Sequence, residues 1–327
     1  MPVSTNHGTD VMTARNALDP GSPVVVTGAT GRQGGATARR LLAEGRPVRA
    51  LVRDASAPSA RALAAAGAQL ARGDLDDQES LLTALDGAAA LFAIPPLPYG
   101  ATGIEPELEV ARGKRLIDAA TAKGVEQVVF STVASMADDS PGREGKALIE
   151  RYLLDQVALP TVLRPVRFMT NYLGFAGIGI DGIRRGNGTE CVHRHLFSPH
   201  EPMQVVALED IAEFAALAFA DPARFAGRTL ELAGDQPTPV EAAAAIGDAI
   251  GIPVRYEQLT GNEVAAIGPD VAETRRRWLA GDRWHADIEA LRVIHPGLRT
   301  LTGWLAESGA AAIREHVVAQ GGMIASR

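Results

Sequence analysis

The first half of the chain alternates short apolar runs with longer segments whose apolar residues recur at helical spacing. Short runs rich in β-branched residues are typical of strands that are buried on both faces of a sheet. The predicted strands lie at residues 24–26, 48–52, 68–71, 88–94, 127–131 and 160–163. Because helical segments separate these strands, the pattern predicts an α/β protein with a doubly wound parallel sheet, covered by helices on both faces.

The pattern changes beyond residue 165. Glycine becomes frequent over 166–200, and apolar periodicity then predicts helices at 208–219, 238–250, 260–267, 270–280 and 301–318. One further strand, near 228–233, is expected to return to the main sheet. We therefore predict a disordered leader over 1–22, a parallel-sheet domain over 23–165, and a smaller, mostly helical C-terminal lobe over 166–327 that binds a substrate or partner.

A glycine-rich turn directly follows the first strand and begins a helix. Its spacing is Gly28-x-x-Gly31-x-x-Gly34. Glycines in such a turn let the backbone approach a pyrophosphate, and the helix N-terminus offers free N–H groups to it. The strand, turn and helix together predict a dinucleotide-binding corner, with a purely structural turn as the alternative.

The residue that ends the second strand indicates which nicotinamide cofactor binds. An acidic residue there would take the ribose 2′-hydroxyl and repel a 2′-phosphate. This chain has Arg53 at that place and Arg32 in the glycine turn, and arginine pairs with phosphate through a planar fork. We therefore expect NADP(H) to be preferred over NAD(H), although Asp54 follows Arg53 directly. Asp74 is expected to begin the adenine pocket, or alternatively only a helix.

Four segments resemble the NmrA-like family of atypical short-chain dehydrogenase/reductases: 28–35, 52–54, 73–76 and 164–171. The resemblance covers nearly the whole chain after the leader. It implies an NAD(P)-binding Rossmann fold and assigns these residues to the cofactor: Gly28, Ala29, Thr30, Gly31, Arg32, Gln33 and Gly34 to the pyrophosphate, Arg53 and Asp54 to the 2′-phosphate region, Asp74 and Leu75 to the adenine, Pro95, Pro96 and Lys146 to the ribose path, and Phe168, Met169, Thr170 and Asn171 to the nicotinamide.

The catalytic residues are less clear from the sequence. Short-chain reductases usually place a tyrosine four residues before a lysine; the tyrosine donates the proton and the lysine holds the ribose. Lys146 is present, but the residue four places earlier is Gly142. Ser131 and Thr132, at the end of the fifth strand, are the remaining candidates for donating a hydrogen bond to a carbonyl, or they are structural.

Composition excludes several function classes. The formal net charge of −7 argues against direct nucleic-acid binding. No apolar run reaches the roughly 18 residues that cross a bilayer, so no membrane association is expected. The single cysteine, Cys191, fits a reducing, cytoplasmic location.

Three histidines lie close together in a segment that we interpret as a loop. They are His193, His195 and His200, near Glu190, Cys191 and Glu201. Their loose spacing favours surface histidines over a metal site, so we predict no metal.

Two functions from different classes remain. The missing tyrosine favours an NADP(H)-responsive regulator, a redox sensor with little or no dehydrogenase turnover, whose cofactor occupancy sets its binding to a protein partner. The alternative is an NADPH-dependent oxidoreductase acting on a quinone, imine or aldehyde, since a quinone accepts hydride with a solvent proton to follow. We expect a monomer or dimer. A sugar-nucleotide epimerase ranks third, because that chemistry requires the tyrosine.

Overall fold

A computed structural model describes residues 21–94, 99–100, 103–137, 140, 142–174, 180–186 and 188–322. Nearly all of the predicted leader, together with Pro95 and Pro96, lies outside the described residues. The strands are β1 (Val24–Val26), β2 (Val48–Val52), β3 (Gln69–Arg72), β4 (Ala90–Ala93), β5 (Tyr99–Gly100), β6 (Gly103–Ile104), β7 (Gln127–Ser131), β8 (Leu159–Pro165), β9 (Arg167–Phe168), β10 (Ile183–Arg185), β11 (Cys191–His195), β12 (Val205–Val206), β13 (Arg228–Leu232) and β14 (Val254–Gln258).

Helices connect most of these strands. They are α1 (Arg32–Ala43), α2 (Pro58–Ala65), α3 (Gln78–Leu85), α4 (Pro106–Ala122), α5 (Glu144–Gln156), α6 (Leu208–Ala220), α7 (Pro222–Phe225), α8 (Pro239–Ile250), α9 (Gly261–Ile267), α10 (Pro269–Ala280), α11 (Ile288–Ile294), α12 (Leu301–Trp304) and α13 (Ala310–Gly322). A 3₁₀ turn covers Met169–Leu173, and a π-helical turn, Leu305–Gly309, joins α12 to α13.

The described residues form a seven-stranded parallel sheet with the order β13-β8-β7-β4-β1-β2-β3. This confirms the predicted doubly wound fold. The strand expected to return near 228–233 is β13, paired with β8. The chain order reverses between β1 and β4, and such a switch point opens a crevice outside the carboxyl ends of the two strands. Thr27, directly after β1, joins these ends, since the Ile94 N–H donates to its hydroxyl at 2.6 Å.

Alternate residues of β1 build the two apolar layers on either side of the sheet. Val24 and Val26 belong to a core that includes the inner face of α6, while Val25 belongs to the core under α3 and α4. A third core, which contains Trp278 and Trp304, lies in the C-terminal part of the chain. The continuous Val-Val-Val run thus reflects burial on both faces, as the sequence pattern predicted.

The segment containing the histidines differs from its prediction. Residues 183–185 and 191–195, expected as parts of a loop, form the antiparallel pair β10 and β11, and β14 extends this pair to a three-stranded sheet. The strand β14 was not predicted because its sequence is largely polar and lacks an apolar run. Arg255 and Glu257 on its outward side pair with each other, at 3.0 Å, so ion pairs cover that face instead of an apolar layer. The short helix α11 was also missed.

Candidate functional site

The glycine turn after β1 has the geometry of a phosphate cradle. Gly28 has a φ of +58°, which glycine adopts without strain, and its carbonyl accepts from the Gly31 N–H at 2.9 Å. Gly31 is the N-cap of α1 and provides no side-chain cap, so the first N–H groups of the helix keep their capacity to bind an anion. A Cβ on Gly34 would lie 2.6 Å from the Thr27 carbonyl oxygen, so only glycine lets α1 start this close to β1.

The two arginines predicted to bind a 2′-phosphate have different surroundings. Arg53 is exposed directly after β2. Asp54 accepts hydrogen bonds from the hydroxyl and the N–H of Ser56, which lower its pKa. Arg32 instead donates to the carbonyls of Thr170 and Gly174, at 3.2 and 3.0 Å, and so joins the glycine turn to the segment after β8.

The adenine candidates lie in the turn between β3 and α3. Asp74 accepts from the Asp76 N–H at 3.0 Å, and Leu75 is buried with its carbonyl bound to Arg115. The residue that caps α3 is Asp77, whose carboxylate accepts from the first turn of the helix. Asp74 is therefore not the residue that caps α3, and its contact with the adenine stays a prediction.

Lys146 lies on α5 and forms an ion pair with Glu109 of α4, and both side chains are nearly buried. Close packing of the helices permits this pair, because a Cβ on Gly145 would lie 2.6 Å from the Glu109 carboxylate. Gly142 has a φ of +77° in the turn before α5. The described tyrosines nearest in sequence lie elsewhere: the Tyr152 hydroxyl donates to Asp118, and the Tyr172 side chain is fully buried.

Ser131 and Thr132 differ in the proton that each has available. The Gln33 side-chain amide donates to the Ser131 hydroxyl, which leaves the serine proton free for another acceptor. The Thr132 hydroxyl donates its own proton to buried Glu150 at 2.8 Å, and Arg164 holds that carboxylate from the other side at 3.1 Å. Ser131 is therefore the better candidate for a hydrogen bond to a ligand.

A cavity of about 310 Å³ opens at the carboxyl ends of β7 and β8. The cofactor candidates Phe168 and Asn171 line it, whereas Met169 is fully buried and Thr170 half-buried. The rest of the wall is mostly apolar and comes from both parts of the chain. It includes Val133, Ala134, Pro165, Val166, Leu196, Phe197, Val271 and Trp284. Trp284 fixes the two parts together through a 3.4 Å hydrogen bond from its indole N–H to the Ala134 carbonyl.

The polar side of the cavity is a buried charged cluster that the sequence interpretation missed. The Arg167 guanidinium donates to the Asp181 carboxylate, with Nε at 3.1 Å. Nε2 of His195 lies 3.2 Å from the same carboxylate oxygen, and Nε2 of His193 lies 3.8 Å from it. The exposed fractions of His193 and His195 are 0% and 4%. The interpretation as surface histidines is therefore wrong for these two, and only His200 is exposed.

The cluster holds one ionised carboxylate beside two neutral imidazoles. Burial alone would raise the pKa of Asp181, but the Arg167 guanidinium acts together with the side chains of His195 and His193 to outweigh it, so that pKa lies well below its usual range. Burial lowers the pKa of His195 to about 3 and also lowers the pKa of His193. Within the described residues, no group of three or more His, Cys, Asp or Glu side chains is placed to hold a metal ion.

The sequence did contain a signal for this cluster. Cys191, His193 and His195 alternate at the two-residue period of a strand and are the buried residues of one face of β11. Asp181 has a φ of +64°, an uncommon backbone conformation for a residue other than glycine. That conformation, and the pairing with Arg167, depend on tertiary contacts that no local pattern encodes.

The fold and the glycine turn at the switch point define a doubly wound α/β protein of the nucleotide-binding class. The model of the NmrA-like family matches residues 20–275, and the chain belongs to that family. Among the described residues, no helix is long and apolar enough to span a membrane.

Two curated relatives and one solved fold are similar to this chain. An NAD(P)H azoreductase from Xenophilus azovorans is 33% identical over 242 residues, which cover 72% of this chain and 77% of the relative. An NmrA-like family domain-containing oxidoreductase from Aspergillus hancockii is 34% identical over 148 residues, but the match spans only 44% of its length. NmrA, a negative transcriptional regulator solved with NAD and with NADP, is 19% identical, with a TM-score of 0.71 over 90% of this chain and 97% of that chain.

Proposed function

We propose that the protein is an NAD(P)H-dependent reductase of an aromatic acceptor such as a quinone or an azo compound. The observation that carries this proposal is the 310 Å³ apolar cavity beside Phe168 and Asn171. Ligand pockets of this kind are mostly apolar with a few polar groups, and a volume near 300 Å³ accommodates a small aromatic molecule. The similarity to an azoreductase over most of both chains supports the same reaction class.

The residues present fit a nicotinamide dinucleotide. Gly28 makes the turn with its positive φ, Gly34 lets α1 start close to β1, and the start of α1 offers N–H groups to the pyrophosphate. Arg53, exposed at the end of β2, would pair with a 2′-phosphate, so we propose that NADP(H) is preferred. Lys146, whose positive charge is balanced by the Glu109 carboxylate, would hold the ribose as a hydrogen-bond donor.

The chain's own residues would bind and orient the reactants. A bound NAD(P)H supplies the hydride. We propose that Phe168 and Asn171, which line the cavity, contact the nicotinamide. Ser131, directly before the cavity-lining residue Thr132, would use its free hydroxyl proton to donate a hydrogen bond to the acceptor. The final proton would come from solvent, because no described tyrosine hydroxyl is paired with Lys146.

The test compares a cavity variant with a matched control. Val133→Phe would fill the cavity, whereas Val293→Phe makes the same change at a side chain that is 79% exposed on α11. NADPH and NADH oxidation is followed with 1,4-naphthoquinone and an azo compound, and cofactor affinity is measured separately. We expect Val133→Phe to lose turnover and keep NADPH binding, and Val293→Phe to behave like the wild type. No oxidation with any acceptor by the wild type would contradict the proposal.

A redox-responsive regulator is the second candidate, and Arg32 is the observation that favours it. Arg32 connects the glycine turn to the carbonyls of Thr170 and Gly174. A bound pyrophosphate at this turn would compete for the guanidinium and so couple cofactor occupancy to the segment after β8. For this function, Arg32→Gln should remove an NADPH-dependent change in protease sensitivity near residue 174 that the wild type shows. The same digestion pattern with and without NADPH in the wild type would reject the regulator.

A further inference from the structure

One aromatic side chain, that of Trp284, lies in the cavity wall and joins the two parts of the chain there. Its indole N–H donates to the carbonyl of Ala134, in the segment after β7, at 3.4 Å. Its ring stands perpendicular to that of Phe197, with ring centres 5.8 Å apart. Ala134 and Phe197 also line the cavity, so the indole itself belongs to the wall. It packs against two apolar cores, one beside the main sheet and one in the C-terminal part.

The short segment that carries Trp284 is fixed on both sides. Before it, the guanidinium of Arg283 lies over the Trp278 ring, 3.9 Å from the ring centre, and donates to the carbonyl of the same residue at 2.6 Å. After it, the backbone of Ala286 exchanges two hydrogen bonds with the side-chain amide of Gln204, at 2.8 and 3.0 Å. Because these contacts hold the backbone on both sides, the indole has little freedom to move aside when a ligand enters.

Size and exposure make this indole the part of the wall that limits a ligand. Trp284 has the largest side chain of the residues that line the cavity, and it is only half-buried, so part of its surface is open to a ligand. The neighbouring ring of Phe197 is only 3% exposed. Protein interiors are close-packed and yield little, so a large ring on a fixed segment decides how much of an aromatic molecule fits.

We propose that Trp284 is a specificity-determining residue of the cavity, whose indole limits the size of the aromatic acceptor, so that a larger fused-ring system is bound less tightly than a smaller one. This inference rests on the proposed function for the nature of the ligand. The competing interpretation is that Trp284 only joins the two parts of the chain. The two interpretations differ in what a smaller side chain at residue 284 does to the choice between acceptors of different size.

The experiment measures binding without any nicotinamide cofactor, so it does not depend on turnover. The probes are 1,4-naphthoquinone-2-sulfonate and 9,10-anthraquinone-2-sulfonate, which each carry one sulfonate and differ by one fused ring, and calorimetry gives both affinities. The wild type should bind the two-ring compound about 10-fold or more tightly than the three-ring compound, the size expected for a misfit in an apolar pocket. Trp284→Ala should remove most of this preference, chiefly through tighter binding of the three-ring compound.

Three further variants separate size from folding. Trp284→Leu keeps an apolar side chain between the two cores and should also lower the preference, even if the alanine variant fails to fold. Trp284→Phe loses the indole N–H but keeps an aromatic ring, and should retain part of the preference. Leu279→Ala, at a side chain that is 56% exposed on α10, is the control and should retain all of it. Melting temperatures identify any variant that fails to fold.

The ratio of the two affinities decides between the interpretations. If Trp284 only joins the two parts of the chain, its removal should weaken both quinones in the same proportion. An unchanged ratio in a folded Trp284→Ala or Trp284→Leu variant would overturn the inference, as would a wild type without the preference. A ratio that falls as expected, in a protein that oxidises no NAD(P)H with any acceptor, would instead refute the reductase and leave the role of Trp284 standing.

Discussion

The glycine turn after β1 and the histidine cluster on β11 are built in opposite ways. The turn depends on absent side chains, since a Cβ on Gly34 would collide with the backbone of Thr27 and Gly28. The cluster depends on polar side chains, each of which would be unfavourable if buried alone. They are tolerated because the Asp181 carboxylate lies against both Arg167 and His195. The first arrangement is local in sequence, whereas the second requires a folded lobe.

The largest expected effect is a loss of cofactor binding at the glycine turn. Gly31→Val would place a branched side chain where the pyrophosphate must lie, and should weaken NADPH binding about 100-fold or more, the equivalent of losing a strong charge-assisted hydrogen bond. The new Cβ would lie 3.2 Å from the Gly28 carbonyl oxygen, a tight contact that a small shift of the turn relieves, so the fold should persist, whereas Gly34→Val should unfold. Fluorescence titration and thermal melting measure both.

The control for this prediction is Gly188→Val, because a Cβ on Gly188 meets no atom within 4 Å. It should leave both cofactor affinity and melting temperature unchanged. Full NADPH affinity in Gly31→Val would mean that the turn is only structural.

The next effect concerns cofactor choice at the end of β2. Arg53→Ala should remove a charge-assisted contact worth about 1.5–3 kcal/mol from NADPH binding and spare NADH. Arg61→Ala, an exposed arginine on α2, is the matched control and should change neither affinity. Equal affinities of the wild type for NADPH and NADH would reject Arg53 as the determinant.

The third prediction tests the histidine cluster through pH. The pKa of His195 falls from 6.5 when unfolded to about 3 when folded, so between these values the unfolded chain binds more protons. Stability should therefore fall as the pH drops below about 6.5, by about 2 kcal/mol at pH 5 from this residue alone. Urea unfolding from pH 7 to pH 5 measures the slope.

The matched variants for this slope are His195→Gln and His200→Gln. The first should remove the contribution of His195 and flatten the dependence on pH, and the second should leave it unchanged. Identical slopes for wild type and a folded His195→Gln would show that folding does not lower the pKa of His195.

The two regions also show how far a sequence can be interpreted. The doubly wound parallel sheet was predictable because apolar runs alternate with helical patterns along residues 24–163. The strand, turn and helix at the glycines were predictable because Val24–Val26 and the following glycines lie within a dozen residues. The family-derived nicotinamide candidates Phe168 and Asn171 also fall in the cavity wall. Which dinucleotide atoms these residues contact stays a prediction.

The histidine cluster could not be predicted because its parts come from separate segments. Arg167 and Asp181 are 14 residues apart, and the tertiary fold places their pair against His195 of β11. The ion pair of Lys146 with Glu109 was missed for the same reason, since 37 residues separate them. The alternation of Cys191, His193 and His195 was visible, but a polar strand resembles a loop until its buried partners are known.

The smallest expected effect comes from removing tyrosine hydroxyls. It tests whether the protein, which has the glycine turn for a cofactor, also has a tyrosine that acts as a general acid. Tyr152→Phe and Tyr172→Phe should each leave the rate of NADPH oxidation with a quinone within a few-fold, because the Tyr152 hydroxyl binds Asp118 and Tyr172 is packed beneath the Arg167 guanidinium. Tyr99→Phe, whose side chain lies outside the described residues, should behave in the same way. Steady-state and single-turnover rates on the three variants decide the matter. A loss of about 100-fold in kcat from any one of them, the size expected for general acid catalysis, would mean that a displaced tyrosine donates the proton and that solvent does not.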